Sequence, residues 1–248
     1  MTHEDVSKLA NDASFAENSG DIWTFVAVLP ESGFIHAEHT AVRSQEEAEV
    51  FIGKVAARSD GAAPFFMSDC WFYMSVLTTI YSVLETVVYG GRGRPAKPKR
   101  TVDPNLRYGQ VHKKRNEKGK IEDISTRIVI GDETRILHEL QDAKRSKTIN
   151  TDYVESRNGK YRKDNSRLIR RTLCHSKKAV FHKASITFLT QVYNYTRTID
   201  ALKVEINPNA ALFEQKYQHL TPAMAEGLID KKLTIKELLC SRKLNTVT

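Results

Sequence analysis

Cysteine is scarce, with only Cys70, Cys174 and Cys240 in 248 residues. An odd number without Cys-x-x-Cys spacing argues against a disulfide framework and against a zinc knuckle, and a reducing cytoplasm is the expected compartment. Long apolar runs are missing too. No stretch approaches the roughly 18 apolar residues of a membrane span, and the polar, acidic opening MTHEDVSKLANDASFAENSGD is unlike a signal or transit peptide. His36, His39, His112, His138, His175, His182 and His219 are scattered without HExxH-like spacing, so none is expected to hold a metal. Gly90-Gly91-Arg92-Gly93 lacks the Gly-Lys-Ser/Thr that grips phosphate and Mg²⁺. No internal repeat and no Ser-His-Asp spacing is present.

Negative charge is sparse in the middle of a chain whose formal net charge is +8. Arg92, Arg94, Lys97, Lys99, Arg100, Arg107, Lys113, Lys114, Arg115, Lys118 and Lys120 are opposed locally by Asp103 and Glu117 alone. A second cluster, Arg157, Lys160, Arg162, Lys163, Arg167, Arg170, Arg171, Lys177 and Lys178, is broken only by Asp164. One basic run is commonly just a solvated face. Two of them bracketing one candidate helix point to a polyanionic partner, nucleic acid first.

Residues 1–20 have no apolar periodicity and read as a mobile tail. The β-branched and aromatic run Ile22–Leu29, the turn signal Pro30-Glu31-Ser32-Gly33 and a second run over 34–40 predict a hairpin. Ser44 with Glu47 three residues on predicts a capping box opening a helix that ends near Gly61, its apolar positions Ala48, Phe51, Ile52 and Val55. Residues 63–69 read as a short strand stopping at Asp69, and 71–84 as an apolar helix. The Gly/Pro-rich basic stretch 89–99 reads as an exposed loop. Residues 107–115 and 120–130 pair around Asn116-Glu117-Lys118-Gly119, and Asp132 caps a helix of about ten residues. Further helices are expected from about Asp152 to Lys163, over 176–203, and twice in the C-terminal fifth, the last opened by the capping box Thr234–Glu237. Trp23, Phe25, Phe65, Phe66, Trp71 and Tyr73 read as core, not as a platform for bases.

Hairpin, helix, strand ending in Asp, insertion and helix carrying Glu form an α/β (α+β) pattern, with a mixed sheet flanked by helices and a basic hairpin insertion. It is the order of a ribonuclease H-like fold. Asp69 closes a hydrophobic strand, where side chains meet the crevice that α/β sheets use for ligands. Glu155 lies on a helix among cations, and Arg162, seven residues on, shares its face two turns later. Clustered carboxylates are the ligands hard Mg²⁺ prefers, and phosphodiester cleavage uses two such ions roughly 3.5–4 Å apart. Taken alone, an Asp after a strand also serves as a cap or turn residue, and a Glu in a basic helix as an ion-pair partner.

Residues 147–173, KTINTDYVESRNGKYRKDNSRLIRRTL, resemble the catalytic-glutamate helix of DDE transposases from small prokaryotic insertion sequences, within the ribonuclease H-like/integrase superfamily. The matching positions are Asn150, Thr151, Val154, Glu155, Asn158, Arg162, Asn165, Ser166, Arg167 and Leu168. Ile22–Ala27, Ser68-Asp69, Tyr108-Gly109-Gln110-Val111, Ile130-Gly131-Asp132 and Thr221–Ala225 with Gly227-Leu228 resemble the same family in the same order, so the similarity spans about 21–239. The resemblance implies cleavage and transfer of DNA strands by two-metal phosphoryl transfer. It implies Asp69 and Glu155 as ligands of two Mg²⁺ (or Mn²⁺) ions. It also implies DNA, both element ends and target, as the partner, without a membrane, with Arg157, Lys160, Arg162, Lys163, Arg167, Arg170, Arg171, Lys113, Lys114 and Arg115 on the DNA. Copies of the chain could assemble on DNA, and a nucleoid-associated cytoplasmic location follows.

Two departures qualify the match. The family's first metal-binding Asp closes the first core strand, where this chain has Leu29, which cannot ligate a metal. Asp21 lies at the other end of that strand, and Glu31 and Glu38 are shifted in register. An N-terminal DNA-reading module is also expected in the family and has no counterpart here. A non-catalytic DNA-binding remnant or domesticated transposase is therefore the rival expectation, followed by a basic RNA-binding or structural protein. The expected organisation is a tail over 1–20, a catalytic-type core over 21–205 with its insertion at about 90–130, and a helical extension over 206–248.

Overall fold

A computed structural model describes residues 22–60, 62–85, 99–169, 173–174, 176, 178–209 and 214–241. The expected tail 1–20, nearly all of the stretch 89–99, and Arg170, Arg171 and Lys177 lie outside the described residues. The chain is of mixed α+β class and divides into two compact units, one from Val42 to Asp152 and one from the chain on either side, up to Ala41 and from Tyr153 onward.

The flanking unit begins with strands β1 (Ile22–Val28) and β2 (Ile35–Val42), whose last residue belongs to the other unit. Their turn is closed by Leu29 N–H donating to Phe34 O at 2.9 Å and Gly33 N–H donating to Leu29 O at 2.8 Å. Gly33 sits at φ +70°, the left-handed region that favours glycine, and a Cβ there would stand 3.2 Å from the Tyr193 hydroxyl, a close approach. Helix α4 (Asp152–Asp164) and helix α5 (Ala179–Thr196) supply the rest of the core: Val26 and Ile35 pack with Tyr161, Ile186 and Tyr193. Buried Asn194 on α5 treats β2 as a neighbouring strand would. Its Oδ1 accepts from Ile35 N–H at 3.0 Å and its Nδ2 donates to Ile35 O at 2.9 Å.

Helix α5 is shorter than the 176–203 expected. Arg197 turns extended at the C-cap, Ile199 N–H donates to Leu220 O at 3.0 Å, and β8 (Lys203–Glu205) pairs antiparallel with β9 (Tyr217–His219). Short helices α6 (Pro222–Ala225) and α7 (Ile235–Cys240) follow, α7 opened by the expected capping box: Thr234 N–H donates to Glu237 Oε2 at 2.8 Å and Glu237 N–H to Thr234 Oγ1 at 3.2 Å.

The inner unit holds α1 (Gln45–Ala57), started by Ser44 Oγ accepting from Glu47 N–H at 3.3 Å and burying Ala48, Phe51, Ile52 and Val55. It packs on α2 (Tyr73–Ile80), which buries Val76 and Leu77. The helix expected over 71–84 stops at Tyr81, whose carbonyl accepts from Asp103 N–H at 2.8 Å. The apolar residues that follow form β4 (Ser82–Glu85), paired antiparallel with β5 (Lys99–Val102). Apolar content decided the helix expectation there, and cross-strand pairing overrides it.

A mixed three-stranded sheet completes this unit. β3 (Phe65–Ser68) runs parallel to β6 (Arg107–Arg115), with Phe65 opposite Arg107 and Ser68 opposite Gln110, and β6 runs antiparallel to β7 (Ile121–Ile130). Asn116 makes the intervening turn, its Oδ1 accepting from the N–H groups of Lys118 and Lys120 at 3.1 and 3.0 Å. Helix α3 (Glu133–Asp142) is capped by Asp132, which accepts from Arg135 N–H at 2.8 Å. Among the described residues no helix is long and apolar enough to cross a membrane.

Candidate functional site

Asp69 follows the last residue of β3 and keeps its side chain 52 % exposed. Hydrogen bonds from β6 fix the turn around it. Ser68 Oγ and the Tyr108 hydroxyl are 2.9 Å apart, Tyr108 donates to Cys70 O at 3.0 Å, and Gln110 Nε2 donates to the same carbonyl at 3.4 Å. Arg127 on β7 holds Gln110 from the other side, its Nε 2.9 Å from Gln110 Oε1. Burial pushes the Tyr108 hydroxyl and the Cys70 thiol above their ordinary values, so both stay protonated and serve as fixed dipoles.

Lys113 is the cation at Asp69, with Nζ 3.5 Å from Oδ2, and the same ammonium donates to buried Thr151 Oγ1 at 3.2 Å. Thr151 and Asn150 thus act just before α4: Asn150 Oδ1 accepts from Asp152 N–H at 3.2 Å and its Nδ2 donates to Thr148 O at 2.8 Å. Gly109 on β6 makes room for this segment, since a Cβ there would meet Ile149 Cγ2 at 2.9 Å.

Glu155 is exposed on α4, as are Lys160, Arg162 and Lys163 along the same helix and Arg167 beyond it. Arg157 differs. It is buried, with its guanidinium 3.4 Å from the Tyr193 ring centroid, its Nε without a hydrogen-bond partner, and its pKa lowered first by that burial. Arg157 therefore belongs to the packing of α4 on α5, and the cations α4 leaves in water are Lys160, Arg162 and Lys163. Tyr161, one turn on, is buried as well, its hydroxyl 2.5 Å from Thr190 Oγ1. Asn165 caps the short 3₁₀ turn Ser166–Leu168 through Arg167 N–H at 3.1 Å and reaches Ser185 Oγ at 2.6 Å, while Leu168 packs on the core.

Lys114 pairs with Glu122 at 3.7 Å, and Arg115 Nη1 donates to Gly119 O at 2.9 Å, both on the exposed end of the β6–β7 hairpin. Leu29 lies at the hairpin turn with both backbone groups bonded and offers no polar side chain. Asp69 and Glu155 fall in different units, and among the described residues no three His, Cys, Asp or Glu side chains gather where one ion could sit.

The part of Lys113 was not readable from sequence, because 44 positions separate it from Asp69 and nothing local links them. Trp71, expected in the core, is 78 % exposed. Fold and site define a mixed α+β protein with a half-exposed carboxylate at the end of a parallel strand and an exposed basic helix carrying a second. No family model, curated protein or solved structure compared with the chain matches it.

Proposed function

We propose that the chain is a DDE-type transposase of a small insertion sequence with a ribonuclease H-like core, impaired at Leu29. The observation carrying the reading is Asp69, half-exposed at the end of a strand and held by Lys113, in a chain whose α4 presents Glu155 among exposed cations. The resemblance gives Asp69 and Glu155 each the part of a ligand to Mg²⁺ or Mn²⁺, which would supply charge stabilisation and an activated oxygen for phosphodiester chemistry. The chain's own contribution is electrostatic and positional. Lys160, Arg162, Lys163 and Arg167 take phosphates, and the network around Cys70 O fixes the direction of Asp69.

A non-catalytic DNA-binding remnant is the second reading, favoured by the uncharged Leu29 at the hairpin turn. Both readings require DNA binding dominated by phosphate contacts. If six to ten phosphates are neutralised, affinity falls about 10³–10⁵-fold between 50 and 200 mM salt. The test compares duplex DNA with RNA of matched sequence over that salt range. A steep slope and preference for DNA support the proposal, and a clear preference for RNA overturns it.

A further inference from the structure

Single exposed apolar side chains are ordinary on protein surfaces. Trp71 is set apart by its position. It stands two residues after Asp69, in the turn that leads into α2, and at 78 % exposure it leaves one of the largest apolar side chains in water. Its footing is aromatic. The indole meets the edge of Phe72, with ring centroids 5.6 Å apart and an interplanar angle of 77°, and Phe72 is buried and meets Tyr73 in turn at 5.5 Å and 86°. Met74, half exposed, extends the apolar ledge. Cations flank the same turn: Lys113 at Asp69, and Arg43, whose charge acts on both Cys70 and Tyr73.

An aromatic ring in water on a turn flanked by cations is the kind of surface on which single-stranded nucleic acid binds, bases stacking on the ring and phosphates meeting the charges. We propose that Trp71 is a stacking platform for an unpaired DNA base held next to Asp69. The inference rests on the DNA-strand reading above and deepens it, because a strand end freed by cleavage is stacked on one side only and gives up its terminal base at lower cost. Trp71 positions the strand and takes no part in bond making.

The chain has two tryptophans, so the same chain carrying Trp23→Phe reports on Trp71 alone. Titration with a single-stranded oligodeoxynucleotide, and with the duplex of the same sequence, is followed by tryptophan emission and by affinity. Single strands should quench Trp71. Trp71→Ala should weaken single-strand binding about 5- to 150-fold while duplex affinity and its salt slope hold, and Trp71→Phe should retain most of the binding. Trp71→Ala binding single strands as tightly as its parent overturns the inference, whether or not the emission is quenched. Duplex binding that persists in that case leaves the DNA reading standing; a chain that binds neither form of DNA takes both down.

Discussion

Lys113 ties Asp69 to Thr151: one ammonium lies 3.5 Å from the carboxylate and 3.2 Å from the hydroxyl, joining the end of β3 to the segment that leads into the helix of Glu155. Asp69 is half in water, so screening limits the ion pair to below about 1 kcal/mol. The bond to buried Thr151 adds about as much. Lys113→Met should therefore lower unfolding free energy by about 1–2 kcal/mol in urea titrations. An unchanged midpoint would show that the lysine does not hold this corner.

Asn194 meets both backbone groups of Ile35 from within the core. Leaving a buried donor or acceptor unsatisfied costs about 1–3 kcal/mol each, so Asn194→Ala, which frees one of each, should destabilise the protein by about 2–6 kcal/mol. Asn194→Asp keeps the acceptor but loses the donor and buries a charge, and should be at least as damaging. Wild-type stability in Asn194→Ala would mean that the hairpin end near Leu29 needs no such brace.

Arg157 and Arg162 lie five residues apart on one helix and should separate cleanly. Arg157→Lys loses the planar stack on Tyr193 and should cost about 2 kcal/mol of stability, with the salt slope of DNA binding unaltered. Arg162→Ala should leave stability near wild type, weaken DNA binding across sequences and reduce the salt slope by about 1. Paired denaturation and salt titrations decide it, and a slope change in Arg157→Lys alone would reverse the assignment.

Burial, with the charge of Arg167 adding to it, lowers the pKa of His182 below its ordinary 6.5. Below that value the unfolded chain binds the proton more readily than the folded one. His182 thus contributes full stability above 6.5, a contribution lost as pH falls toward its depressed folded-state value. Urea midpoints measured on both sides of 6.5 should fall on acidification, and His182→Gln should flatten part of that fall. An equal fall in wild type and variant would assign the acid sensitivity to other groups.

Local chemistry was legible in the sequence wherever it set the structure. Ser44, Asp132 and Thr234 cap the helices their spacing predicts, and the Asn116–Gly119 turn joins the two expected strands. Long-range pairing was not. β4 reads as a helix because Val83 and Leu84 continue an apolar run, and only pairing with residues 99–102 makes it a strand. Site residues divide the same way. Composition marks Arg157 as one cation among many, and Tyr193, 36 positions on, is what draws it inward. Aromatic character alone assigns Trp71 to the core, while the tight turn after Asp69 leaves it in solvent.

If Leu29 alone disables the proposed transposase, an acid restored at that position returns metal-dependent strand cleavage. Nicking of the DNA flanking the reading frame, with Mg²⁺ or Mn²⁺, tests this directly when the chain is compared with Leu29→Asp and with Leu29→Asp/Glu155→Gln. Leu29→Asp alone is expected to cut, and only with metal, while adding Glu155→Gln should abolish cutting and leave DNA binding nearly intact. A Leu29→Asp protein that folds and binds DNA but nicks no faster than the parent would contradict it.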